Sequence, residues 1–155
     1  MNYRIAIGRL KMSRKIYWAG PLHDVKDQKR NEEYVEKLRD AGYQVYLPQE
    51  HGVWEEMLGE FNNDEKAVRK HLFTLDLQAM KEADMCIACC GDVKDPRGPS
   101  EGMLWEMGWM TAANKNVLLF NENDYWRFNL MPQFGSIVFN NFDKLLEYLE
   151  GESFK

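Results

Sequence analysis

The chain has 155 residues, a formal net charge of −5, 45% hydrophobic and 13% aromatic residues. This is enough length and apolar content for one domain with a real core, which excludes disorder. No apolar run reaches the ~18 residues of a membrane helix, and the acidic balance gives no footprint for nucleic acid. The expected partner is therefore a small molecule, with no nucleic acid and no membrane.

The opening MNYRIAIGRLK precedes a second methionine, Met12, and the periodic pattern begins only at SRKIYWAGP. Residues 1–11 are therefore set apart as an upstream extension, and 12–155 are read as one domain. KIYWAG (15–20) is a β-rich run closed by PLHD. From about Lys26 to Ala41 a charged segment repeats Tyr34, Leu38 and Ala41 on one helical face, and Gly42 stops it. QVYLP (44–48) is a second strand, ended by Pro48. Residues 49–63 read as an aromatic loop with Trp54, Met57 and Leu58 on a short helix. Asp64 caps a long helix that runs to Ala83. MCIACC (85–90) is a third strand, and GDVKDPRGP is a loop of turn formers. A helix over 101–114 ends at Asn114. NVLLF (116–120) and SIVFN (136–140) are the fourth and fifth strands, and a helix from about Asp143 to Glu150 closes the chain. No repeat or linker marks a second domain.

Continuous apolar strands alternating with helices predict an α/β fold, a five-stranded parallel sheet with helices on both faces. Ligands of such sheets bind beyond the carboxyl ends of the strands, near the switch in strand order. That rule selects WAGPLHD, PQEHG, GDVKDPRGPSEG and the stretch after Phe120. Neither GxGxxG nor the phosphate loop GxxxxGK[ST] is present. Cys86 and Cys89 spell C-x-x-C, but the run reads as a strand and no second ligand pair lies nearby, so Cys86, Cys89 and Cys90 read as buried thiols and no metal is expected. Their odd number, without a signal peptide, points to a reducing cytosol. His23, His51 and His71 lack metal-ligand spacing and read as surface or loop-rim residues. Trp18 fits either a base-stacking role or the core, and Trp54 and Trp126 fall in loops placed to lid a pocket.

Two carboxylates stand where core residues are expected. SEGMLWEMGW (100–109) sets Glu106 among two tryptophans, two methionines and a leucine, with Met110 just beyond; Met103, Met107 and Met110 form one stripe and Trp105, Trp109 and Ala113 another, leaving little of the helix to water. A buried carboxylate without a partner costs several kcal/mol or shifts its pKa upward, so Glu106 is solvated, paired or used. Gly102 lies one turn before it, which lets a ligand or another backbone come close. On the preceding long helix Asp76 falls within a stripe of Leu72, Phe73, Met80 and Ala83. Carboxylates in apolar surroundings are what acid-base or nucleophilic work on a glycosidic bond requires.

Four ordered pieces, KIYWAGP, LDLQAMKEADMCIA, SEGMLWEMGWMTAANKNVLLF and FNLM (128–131), give the chain a resemblance to the nucleoside 2′-deoxyribosyltransferases and the related nucleoside 5′-monophosphate N-glycosidases, from about Lys15 to Leu149. The resemblance implies a flavodoxin-like, Rossmann-like sheet. It implies that Glu106 is the nucleophile at C1′ of the sugar, that the Tyr17 hydroxyl orients it, and that Asp76 hydrogen-bonds the base and assists its protonation. It further implies substrate contacts from Gly20 and Pro21, from Gln49 or Glu50 beside the base, from Ser100 and Gly102, and from Asn129 and Met131 lent by a neighbouring subunit. The substrates would be a deoxynucleoside and a free nucleobase, the assembly a homo-oligomer with shared sites, and no cofactor or metal is implied. Ser100 departs from the transferase pattern, which carries an aspartate there for the sugar 5′-hydroxyl. A serine suits a phosphate, as in the monophosphate hydrolases, although Glu101 beside it would repel one. A nucleotide-binding module that has lost the chemistry is the third reading.

Overall fold

The computed structural model describes residues 14–22, 24–52, 54–91, 99–122 and 130–152, and every structural statement concerns these. Strands β1 (Lys15–Ala19), β2 (Gln44–Tyr46), β3 (Met85–Cys89), β4 (Asn116–Phe120) and β5 (Ile137–Phe139) form one parallel sheet in the order β2-β1-β3-β4-β5. Helices α1 (Val25–Asp40), α2 (Trp54–Glu60), α3 (Glu65–Glu82), α4 (Glu101–Ala112), α5 (Leu130–Phe134) and α6 (Phe142–Glu152) connect or follow them, and a 3-10 turn, Pro48–Glu50, follows β2.

The two-residue period of the strands divides the core. Ile16, Trp18, Ile87, Cys89, Leu118 and Phe120 point toward α1 and α6. Tyr17, Ala19, Cys86, Ala88, Val117 and Leu119 point toward α3 and α4. Cys86 and Cys89 thus face opposite sides of the sheet and share no ligand. Burial pushes all three thiols up, away from the reactive thiolate. The sheet order reverses direction between β1 and β3, and in sheets of this kind that switch point is where ligands bind, beyond the carboxyl ends of the strands.

Local signals set the element ends. Asp24 caps α1 by accepting from the Asp27 N–H, Asp64 caps α3 from Ala67, and Gly42 takes a φ of 93° after α1. Helix α4 stops at Ala112 rather than Asn114, because Asn114 adopts a left-handed φ of 57° and the following N–H groups fold back onto the Met110 and Thr111 carbonyls. The C-terminus of α3 is gripped by Lys115, whose Nζ donates to the Met80, Lys81 and Ala83 carbonyls at 2.7, 2.6 and 2.6 Å. Helix α5 is absent from the sequence reading: five residues around Pro132 are too short for a helical period to emerge.

The stripe expected on α3 is only partly a core stripe. Met80 and Ala83 are buried, whereas Phe73 is 51% exposed and packs edge-on against Trp105. The geometry explains it. An 18-residue helix is about 27 Å long, whereas a five-residue strand spans about 16 Å, so the amino-terminal part of α3 overhangs the carboxyl edge of the sheet. Helix α4 also leaves more of its circumference uncovered than its sequence implies. Met103, Met107 and Met110 are buried against the sheet, but Trp105 is 51% exposed.

Candidate active site

Tyr17 projects from β1 toward α4, and its hydroxyl donates to Glu106 Oε1 at 2.6 Å. Glu106 stands at the edge of the methionine stripe, largely shielded from water. Burial pushes its carboxyl up to about 7, against the opposing pull of the Tyr17 hydrogen bond, and the nearby Asp76 charge adds to the rise. Burial likewise drives the Tyr17 phenol well above its usual range, and Glu106 reinforces this, so Tyr17 stays a neutral donor.

A second pair stands beside the first. The Tyr46 hydroxyl at the end of β2 donates to Asp76 Oδ1 at 3.1 Å. Burial raises the Asp76 carboxyl, while this hydrogen bond and the neighbouring His51 pull it down. The Tyr17 and Tyr46 rings stack at 5.7 Å and 14°, because the parallel register sets these two residues side by side, and His51 also stacks on Tyr46, at 4.2 Å and 3°. Asp76 and Tyr46 line a cavity of about 520 Å³, whose walls include Gln49, His51, Trp54 and Leu72.

The remaining sequence candidates fall in different places. Pro21 is held by Asn31, a fully buried residue of α1 that its charged helix does not mark as special. Asn31 Nδ2 donates to the Pro21 carbonyl at 3.0 Å and to Gln49 Oε1 at 3.2 Å, and its Oδ1 accepts from the Trp18 indole at 3.1 Å. A Cβ on Gly20 would lie 3.0 Å from Asn31 Oδ1, so that position favours glycine. Trp18 is therefore a core residue and not a stacking platform. Gln49 reaches the cavity, but its Nε2 is also occupied, by the Gln28 carbonyl and Glu32, both at 3.0 Å. Glu50 does not line the cavity: Arg39 binds both its oxygens, at 2.8 and 2.6 Å, and holds its carboxyl below the usual range. Ser100 caps α4 by accepting from the Met103 N–H at 3.4 Å, and Gly102 is exposed one turn before Glu106. Met131 lies on α5 and is 72% exposed. Asn129, His23 and Trp126 lie outside the described residues. His51 and Trp54 line the cavity, whereas His71 packs against Phe61 away from it. Among the described residues no cluster of His, Cys, Asp or Glu forms a metal site, and no helix is long and apolar enough to cross a membrane.

At this level the molecule is a doubly wound α/β protein with two hydrogen-bonded tyrosine–carboxylate pairs, Tyr17–Glu106 and Tyr46–Asp76, set side by side. Its family follows from the sequence: residues 16–147 match the family model of nucleoside 2-deoxyribosyltransferase, and the chain belongs to that family. No curated protein matches the chain. Among solved structures it is similar to a 2-deoxyribosyltransferase from the psychrotolerant bacterium Bacillus psychrosaccharolyticus, with 27% identity, 84% of this chain and 89% of that chain covered, and a TM-score of 0.68. Two others share the fold at lower identity. A conserved protein from Enterococcus faecalis V583 gives 21% identity, coverage of 90% and 99%, and a TM-score of 0.71. The Clostridium botulinum CMP N-glycosidase BcmB gives 20% identity, coverage of 88% and 99%, and a TM-score of 0.57.

Proposed function

We propose that the protein exchanges the bases of 2′-deoxyribonucleosides through a covalent deoxyribosyl-Glu106 intermediate. The observation that carries this reading is the 2.6 Å hydrogen bond from Tyr17 to Glu106 Oε1, which fixes a half-buried carboxylate and leaves Oε2 for attack. Glu106 Oε2 bonds to C1′ as the C1′–N bond breaks, and the electron pair leaves on the base, which takes a proton from Asp76. The developing oxocarbenium charge favours the ionised form of Glu106, whose proton affinity is poised near neutrality. A second base then attacks C1′, the ester bond breaks, and Asp76 recovers its proton. Two displacements give retention at C1′ and ping-pong kinetics. Sugars without a 2′-hydroxyl react more readily, because that electron-withdrawing group disfavours the cation. The working assembly is a homo-oligomer in which Asn129 and Met131 complete a neighbour's sugar pocket.

One observation favours a second reading, hydrolysis of deoxynucleoside 5′-monophosphates. Ser100 stands at the amino terminus of α4, where a hydroxyl and the helix dipole suit a phosphate. Incubation with deoxyuridine or deoxyinosine, with and without adenine, and with the matching monophosphates, separates the two. Exchange product supports the transferase; free sugar phosphate without exchange replaces it with the hydrolase. A Glu106→Ala variant that still binds nucleoside but does not turn it over is expected of either enzyme, whereas wild-type protein that binds without turnover would leave a non-catalytic binding module.

A further inference from the structure

Asp76 carries a hydrogen bond that the proposed reaction does not by itself require. Tyr46 reaches it from β2, a different element from the one that bears Tyr17, and donates to Oδ1 alone at 3.1 Å. Oδ2 accepts no hydrogen bond from the described residues. The Tyr46 ring stacks on Tyr17 at 5.7 Å and on His51 at 4.2 Å, both nearly parallel to it, and this stacking limits the swing of its hydroxyl away from that oxygen.

We infer that Tyr46 is a positioning residue that divides the labour of the two Asp76 oxygens, keeping Oδ1 as its own acceptor and leaving Oδ2 to carry the proton that passes to the departing base and returns from the incoming one. The inference rests on the base-exchange reading. Its physical basis is simple: a neutral carboxyl whose Oδ1 already accepts from a phenol keeps its proton on the other oxygen, and the locked ring fixes where that oxygen points. Tyr46 is thus to Asp76 what Tyr17 is to Glu106. The tyrosines are register partners on adjacent strands, so one stacked unit sets the geometry of both carboxylates. The titratable groups facing Asp76 are Tyr46 on β2, Tyr17 on β1, Glu106 on α4 and His51 after the 3-10 turn, with Glu55 of α2 across the cavity.

Tyr46→Phe tests this, because it keeps the stacked ring and deletes only the hydroxyl. The sign is fixed: the hydrogen bond stabilises ionised Asp76, so its loss raises the Asp76 pKa. The basic limb of kcat/KM, where Asp76 loses its proton, should move to higher pH, and kcat should fall about tenfold or more with little change in KM. In ligand-free protein the Asp76 carboxyl carbon, followed by NMR with labelled aspartate, should titrate at higher pH in the variant than in the wild type. An unshifted titration would refute the hydrogen bond. A shifted titration with unchanged kcat and pH profile would refute the positioning role. Wild-type protein that turns over no deoxynucleoside sinks the base-exchange reading and Tyr46's part in it, while the titration still decides the hydrogen bond.

Discussion

At the scale of single residues, Glu106 sets function against stability. Its carboxyl rises from an ordinary 4.5 to about 7 on folding, chiefly through burial. A carboxyl raised on folding contributes stability below its unfolded pKa and loses it as pH climbs through the folded one, here between about 4.5 and about 7. Glu106→Gln removes that loss while keeping an oxygen for the Tyr17 hydroxyl. The variant should be more stable than wild type at pH 8 by up to about 3 kcal/mol, and nearly equal at pH 4, by denaturant unfolding. Its turnover should vanish. A variant no more stable than wild type at pH 8 would show that Glu106 is solvated and unstrained. Tyr17→Phe acts on the same group with the opposite economy. Without the donor, Glu106 is harder to ionise, so the acidic limb of kcat/KM should move to higher pH and kcat should drop at neutral pH; an unmoved limb would mean that the 2.6 Å contact does not bear on the reacting form.

At the scale of elements, the site depends on how the loops after β1 and β2 are tied together, and one residue of α1 does most of the tying. Asn31 joins Trp18, Pro21 and Gln49. Asn31→Ala would leave the Trp18 indole N–H buried without an acceptor and should cost about 2–3 kcal/mol. Because Pro21 and Gln49 lose their tether while Tyr17 and Glu106 keep theirs, KM should rise more than kcat falls; a loss confined to kcat would place Asn31 in the chemistry instead. Asn31 was invisible in the sequence for a physical reason. An asparagine on a charged helix reads as solvent-facing, and only the packing of α1 over the first loop reveals that it is buried. Tyr46 is hidden for a similar reason, since the strand pattern shows a tyrosine two residues before Pro48 but not the register that sets it next to Tyr17. By contrast, Glu106 and Asp76 were legible, because each breaks an apolar stripe on its own helix. The element order was legible too: parallel strands buried on both faces announce themselves as apolar runs, and capping residues such as Asp64 mark their helices locally.

At the scale of the molecule, the sequence misled where apolar residues point outward. Trp105 belongs to a band that reads as core on a helical projection. On the folded chain it packs against Phe73 of α3, and on the same side of the sheet Leu130, Met131 and Phe134 of α5 and Val138 of the edge strand β5 are exposed as well. Helix α5 ties this band together, since it packs on α4 and β5. Periodicity marks a residue as apolar and aligned but cannot say whether the partner surface lies in the same chain. An exposed apolar band of this extent favours burial against another protein surface. A second copy fits the proposed function, because the band carries Met131 and flanks the helix that carries Glu106. A Trp105→Glu, Phe134→Glu double variant should bury two charges at that contact and dissociate the assembly, with sedimentation velocity showing an oligomer for wild type and a monomer for the variant. Circular dichroism should be unchanged, because both side chains already face water in the protomer, at 51% and 82% exposure. Turnover should fall with dissociation, since each pocket would lose the neighbour's Asn129 and Met131. A monomeric wild type with full activity would show that the band serves another purpose and that one chain holds a complete site.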